Sequence, residues 1–237
     1  MKKLLSFIVM GWMSTTLFAQ EFLVPQIFND HMVLQREVHT RFWGWDIAGE
    51  EITIKMGNLE VITETNDEGR WEAFLPLQYA GGPHTISITG SGTVTFEDVY
   101  FGDVWIAGGQ SNMEWQIGAN IDNMEAELAD TDYPRIRFFK VAHRVSLSPE
   151  IDLKEGEWKV ANRENAENFS AVAWFFAKHN HIEKGVPVGI IDNNWGGTPA
   201  EAWTPVDRLL EVPGYEEAAA EIAELQDEWE KIQADND

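Results

Sequence analysis

Between residues 22 and 99 apolar and polar positions alternate at period two, in short stretches separated by turn residues. VHTRFWGW (38–45), EITIKMG (51–57), EVITET (60–65), RWEAFLP (70–76), HTISITG (84–90) and TVTFEDV (93–99) each carry β-branched or aromatic residues in that rhythm. Residues 46–50, 66–69, 80–83 and 90–92 supply the Gly, Pro, Asn and Asp of the turns between them. The pattern predicts an antiparallel β-sandwich over residues 21–98, because each such strand has one face to bury. Trp43, Trp45, Trp71 and Phe74 would fill its core or form a face for stacking carbohydrate; core packing is the commoner use in strands that bury every second side chain.

After Val99 the grammar changes. VWIAG (104–108) is an apolar run ending in glycine, as a strand buried on both faces should be. RIRFFKV (135–141) and VPVGII (186–191) predict two more strands. Between them FSAVAWFFAKHNHIE (169–183) has apolar residues at helical spacing, and Gly185 supplies the stop. Strand alternating with helix predicts an α/β domain with a mostly parallel, three-layer sheet over residues 99–237. The fold class expected is therefore α+β in two domains, a β-sandwich followed by an α/β domain.

Composition narrows the chemistry. The 237 residues include no cysteine, which excludes disulfides, thiolate metal sites and cysteine nucleophiles. A net charge of -23 disfavours nucleic acid and anionic lipid as partners. Met1 to Gln20 has two lysines, an apolar stretch from Leu4 to Phe18 and a small residue at Ala19, the layout of a signal peptide. A membrane anchor is the alternative, but the stretch is short of the roughly 20 residues needed to span. Residues 1–20 are thus expected to be removed, leaving an exported protein, periplasmic or extracellular, without membrane insertion. The segment 214–237 is acidic and helical by propensity, with Ala219, Ile222, Ala223, Leu225 or Gln226, and Trp229 as its apolar stripe.

Ligands of open parallel sheets bind outside the carboxyl ends of the strands. Two such ends carry unusual sequence here. Gly108-Gly-Gln-Ser-Asn-Met-Glu-Trp115 follows the strand at 104 and puts Ser111 where a helix would begin. Ser111 is there either a nucleophile with its own amide as an oxyanion donor, or an N-cap with Glu114 completing a Ser-x-x-Glu capping box. Asp192-Asn-Asn-Trp-Gly-Gly-Thr-Pro-Ala-Glu-Ala-Trp203 follows the strand at 186. Two such loops at one sheet edge point to acyl transfer, with Ser111 attacking and the amides of Ser111, Gly196 or Gly197 holding the oxyanion.

At these residues the chain resembles the sialate O-acetylesterases, serine esterases of the SGNH-hydrolase type. The resemblance rests on Ile27-Phe-Asn-Asp-His-Met-Val-Leu-Gln35, Trp43-Gly-Trp45, Asp67-Glu-Gly-Arg-Trp71, Ala80-Gly-Gly-Pro83, Gly102-Asp-Val-Trp105, Gly109-Gln-Ser-Asn-Met-Glu114 and Trp195-Gly-Gly-Thr-Pro-Ala-Glu-Ala-Trp203. It implies a nucleophilic Ser111 and a Gly196-Gly197 oxyanion block. It implies a substrate that is an O-acetylated sialic acid or related acetylated sugar, and neither metal nor organic cofactor. Gln110, Asn112, Asn194, Trp195, Thr198 and Glu201 are the substrate-pocket candidates.

A serine hydroxyl needs a base, which SGNH enzymes supply from an Asp-x-x-His segment. None of His31, His39, His84, His143, His179 and His181 has an aspartate three residues before it. No Gln-Gly-Glu string follows the Gly-Gly-Thr loop either. The expectation is that the α/β domain is incomplete at its C-terminal side, with the base His and Asp beyond residue 237. A glycan-binding protein without turnover is the alternative function. Asp98, Asp103 and Glu201 offer carboxylates for a glycosidase, a weaker reading in a chain with forty Asp and Glu.

Overall fold

The structure, a computed structural model, describes residues 21–147, 149–218, 220–222, 224–225 and 228–229. Residues 1–20, expected to be a signal peptide, lie outside the described residues, as do Ala219, Ala223 and Gln226 of the acidic stripe. No described helix is long and apolar enough to cross a membrane.

All six alternating stretches form strands. β1 (Val33–Gln35), β2 (Thr40–Trp45), β3 (Glu51–Met56), β4 (Leu59–Glu64), β5 (Arg70–Leu75) and β6 (Gly81–Thr89) precede a 17-residue strand β7 (Thr93–Gly109). β2 pairs with β5 as a two-stranded antiparallel sheet. The others lie in a mixed sheet ordered β4-β3-β6-β7-β10-β8-β9, with β1 pairing parallel to β7 off that path, completed by β8 (Tyr133–Lys140), β9 (Trp158–Ala161) and β10 (Val188–Asn194). β7 runs unbroken through residue 99. Its first half pairs antiparallel with β6 and its second half parallel with β10, so one strand serves both halves of the chain.

The period-two pattern decides what each face buries. Phe42, Trp71 and Leu75 of the small sheet share a core with Ile52, Ile54, Ile86, Ile88 and Val99 of the large one. Trp71 thus packs inside, whereas Phe74 stays exposed. On β8 the neighbours Phe138 and Phe139 point to opposite faces. Phe139 joins that first core beside Trp158. Phe138 enters a second core and stacks on Phe169, with ring centroids 4.0 Å apart. The second core is closed by helix α4 (Ala171–Lys184), which ends at Gly185 in the left-handed conformation (φ 68), as its sequence predicts. Helices α1 (Ser111–Glu114), α2 (Met124–Ala129), α3 (Arg163–Ala166) and α5 (Val206–Leu209) are one or two turns each.

The Ile27–Gln35 motif joins the two halves. Asn29 Oδ1 accepts from the Trp158 amide at 3.0 Å and Asp30 Oδ1 from the Glu97 amide at 2.7 Å. Gln35 Oε1 accepts from the Val104 amide at 2.9 Å. Beside it lie two ionic clusters. Asp98 binds His31 Nδ1 at 2.8 Å and Arg137 Nη1 at 2.7 Å. Asp103 binds Arg36 Nε at 2.7 Å and Lys184 Nζ at 3.0 Å.

Burial pushes both carboxyls up, but the hydrogen bonds and charges of these cations outweigh it and hold Asp98 and Asp103 below the ordinary carboxylate range. A lowered carboxyl contributes stability that is complete above its unfolded value, about pH 4, and is lost as pH falls through the folded value. The melting temperature is therefore expected to fall as pH drops from about 5 to about 2, and to fall less steeply in Asp103→Asn. Thermal unfolding followed by circular dichroism across that range checks it; equal slopes would remove Asp103 from the account.

Candidate active site

β7 and β10 are parallel neighbours, with Gly108 opposite Asn193 and Gly109 opposite Asn194. Their carboxyl ends therefore release the Ser111 loop and the Gly196 loop side by side, as the sequence predicts. Gly109, at φ 146, makes the turn out of β7 in a conformation open to glycine. The Trp195 amide donates to Gly109 O at 3.0 Å and ties the loops together.

Of the two alternatives for Ser111, the structure does not form the capping box. Gln110, not Ser111, is the N-cap: its Oε1 accepts from the Ser111 amide at 3.1 Å and from Ser111 Oγ at 2.7 Å. Glu114 does not fold back on its own turn. It crosses to the neighbouring loop, where Oε2 accepts from the Gly196 amide at 2.8 Å. α1 is a single turn, so its dipole adds little at Ser111, and any oxyanion contact there rests on individual N–H groups.

His143, delivered by the loop leaving β8, completes the cluster. Its Nε2 donates to Asn194 O at 2.8 Å and lies 3.5 Å from Glu114 Oε1. Its ring stacks on Trp195 at 4.3 Å and an interplanar angle of 8°. Ser111 Oγ donates to Gln110, and no described histidine hydrogen-bonds it. Three of the other five histidines have partners elsewhere: His31 sits on Asp98, His84 against Phe101, and His181 on the Val186 carbonyl.

Beneath the loops lies a buried polar support. Lys140 Nζ reaches Asp192 Oδ2 at 3.2 Å and Asn194 Oδ1 at 3.0 Å, and Asn194 Nδ2 donates to Asp192 Oδ1. Asp192 and Asn194 are both 1% exposed. Burial pushes the Asp192 carboxyl up, a shift opposed by the Lys140 charge and by hydrogen bonds from Lys140, Asn194 and the Ser170 backbone. This support fixes the end of β10 from which Trp195 and Gly196 depart.

Thr198 Oγ1 donates to Trp195 O at 2.6 Å and accepts from Trp203 Nε1 at 2.8 Å, which shapes the loop beyond the glycines. Glu201 accepts from the Tyr215 hydroxyl, a bond that holds its carboxyl low and raises the phenol. A cavity of about 590 Å³ opens here, lined by His143, Asn194, Trp195, Thr198, Glu201 and Trp203 among others. Ser111, Gly196 and Gly197 are not in its wall, so it lies beside Ser111 rather than over it. Asn112 is exposed on α1. The structure thus gathers Ser111, Gln110, Gly196, Asn194 and Trp195, while Glu201 sits farther out on Tyr215. The reach of Glu114 to the glycine loop, the approach of His143, and the Lys140–Asp192 pair carried no sequence signal, since the first depends on how β7 and β10 pair and the other two on how β8 and β10 pair. Among the described residues no group of three or more His, Cys, Asp or Glu could hold a metal ion.

With this geometry, relatives are informative. No protein-family model matches the chain. The sialate O-acetylesterase of Pongo abelii is 30% identical over 203 residues, 77% of this chain and 39% of its own length. The rat enzyme is 29% identical over 203 residues, 77% of this chain and 37% of its own. The chain is a homologue of the sialate O-acetylesterases. Among solved structures, a carbohydrate acetylesterase from Xanthomonas citri matches with a TM-score of 0.77 and 36% identity, over 81% of this chain and 44% of that one. The chain therefore spans well under half the length of these homologues.

Proposed function

We propose that the protein is a serine esterase that removes O-acetyl groups from sugars, sialic acid first among them. The observation that carries this reading is Ser111 on the turn leaving β7, packed against the Gly196 loop leaving the parallel neighbour β10, in a chain homologous to acetylesterases. Ser111 Oγ attacks the acetyl carbonyl and gives its proton to a base. The carbonyl oxygen becomes an oxyanion, and the sugar hydroxyl leaves with a proton. Water then cleaves acetyl-Ser111 to acetate and restores the hydroxyl.

Of the two glycine amides, that of Gly196 is held by Glu114. Gly197, at φ 79, has open space where a side chain would stand, and we assign its amide as oxyanion donor; the Ser111 amide, which donates to Gln110 Oε1 at 3.1 Å, joins it only by exchanging that acceptor for the oxyanion. The base is the one component that the described residues leave unassigned. The cavity beside Trp195 would take the sugar. We read the N-terminal strands as a β-sandwich module fused to this site, and the first 20 residues as an export signal.

Acetate release from O-acetylated sialic acid and from an acetylated xylo-oligosaccharide tests the reading; release from neither would overturn it. Glycan binding without turnover is the second reading, favoured by the Ser111 hydroxyl pointing to Gln110 and not to a base. Heat on mixing with the sugar, in the absence of acetate release, would select it.

A further inference from the structure

We infer that Glu114 is a positioning residue that locks the glycine loop onto the nucleophile's turn by accepting the Gly196 N–H. The inference rests on the esterase reading above and assigns a role to a residue that the sequence offers only as the second half of a possible capping box.

Three observations carry it. First, the capping role is already filled, because Gln110 accepts from the Ser111 amide. The Glu114 carboxylate is thus left to look outward from α1, on the same face as Ser111 three residues earlier. Second, Gly196 packs on that turn so closely that a side chain there would displace the Glu114 carboxylate. A Cβ there would collide with Glu114 Oε2 and stand 3.6 Å from Ser111 Cα. Third, the loop is gripped at two consecutive amides, Trp195 N on Gly109 O at 3.0 Å and Gly196 N on Glu114 Oε2 at 2.8 Å. The first grip holds the loop to the end of β7. Only the second holds it to the turn that carries Ser111.

With the Gly196 amide committed to Glu114, the peptide that follows leads at once into Gly197, the remaining donor of the pair. Losing the acceptor would leave the Gly196 N–H to water and loosen the loop by a fraction of an ångström. In an active site a misplacement on that scale costs rate more than binding. The contact needs a hydrogen-bond acceptor, not a negative charge. A glutamine at 114 can still present its Oε1 to Gly196, and an alanine cannot.

The test uses Glu114→Ala and Glu114→Gln in the whole protein, with two readouts. Amide hydrogen exchange at Gly196, followed by NMR, reports the contact itself. Steady-state hydrolysis of 4-nitrophenyl acetate reports the reaction. Glu114→Ala is expected to speed Gly196 exchange at least about tenfold and to lower kcat about 10- to 100-fold, with KM within about twofold. Glu114→Gln should stay within about threefold of wild type in both.

Unchanged Gly196 exchange in Glu114→Ala would overturn the contact. A Glu114→Gln as impaired as Glu114→Ala would overturn the acceptor role in favour of charge. A loss confined to KM would overturn positioning. If the wild-type protein shows no turnover, the esterase reading and the kinetic role fall together, while the exchange arm still decides the contact.

Discussion

Replacing Ser111 with alanine is expected to lower acetate release by on the order of 10⁴-fold or more, about 5 kcal/mol of transition-state stabilisation. The size follows from what is removed. Without the hydroxyl no acetyl-enzyme forms, and only the oxyanion donors and the pocket remain to assist attack by water. Those groups alone give modest catalysis in serine hydrolases. The fold should be indifferent to the change, since Ser111 is exposed and Gln110 still caps α1. A melting temperature matching wild type alongside lost turnover would place the effect in chemistry. Turnover within tenfold of wild type would remove Ser111 from the mechanism.

The largest stability effect is expected at Asp98. Arg137 is 2% exposed, and its guanidinium has three partners: Asp98 at 2.7 Å, the Pro134 carbonyl at 2.7 Å and the Tyr100 ring at 5.2 Å. Removing the counter-charge leaves a buried cation, which typically costs about 3–5 kcal/mol. Asp98 keeps solvent access at 33% exposure, so the lower end applies.

Two substitutions separate the contributions. Asp98 and its partner His31 both adopt left-handed backbone, at φ 54 and φ 66, which alanine disfavours and asparagine tolerates. Asp98→Asn therefore removes the charge alone and should cost about 2 kcal/mol, whereas Asp98→Ala adds backbone strain and should cost about 3 kcal/mol or more. For a chain of this length about 3 kcal/mol is roughly 6–12 °C in melting temperature. Urea unfolding of both variants checks the order; an Asp98→Ala cost under about 1 kcal/mol would mean that buried Arg137 does not depend on this counter-charge.

These sites also mark where sequence reading works and where it stops. The strands of the N-terminal half were legible because each has one buried face and bounding turns, so local pattern and global fold agree. α4 was legible for the same reason, with its stop at Gly185 in the conformation that glycine favours. The expected division at residue 99 coincides with no break in secondary structure: β7 passes through, changing partner from β6 to β10. Alternating and continuous apolar patterns there belong to one strand that is covered differently along its length.

β9 escaped notice because four residues are too few to show a period. At the site, Ser111 and the paired glycines could be read, since loop chemistry is local. Glu114 could not be placed. Ser-x-x-Glu spells a capping box whenever the serine is the cap, and here the preceding glutamine displaced it. His143 gave no signal either, because its position depends on the parallel pairing of β8 with β10.

The most direct measurement of the central claim is peptide mapping of the protein quenched with acid during turnover of an O-acetylated sugar. An acetyl group is expected on the peptide containing Ser111, attached at that residue, and none in Ser111→Ala. Acetate release with the acetyl group on another residue, or undiminished in Ser111→Ala, would contradict it.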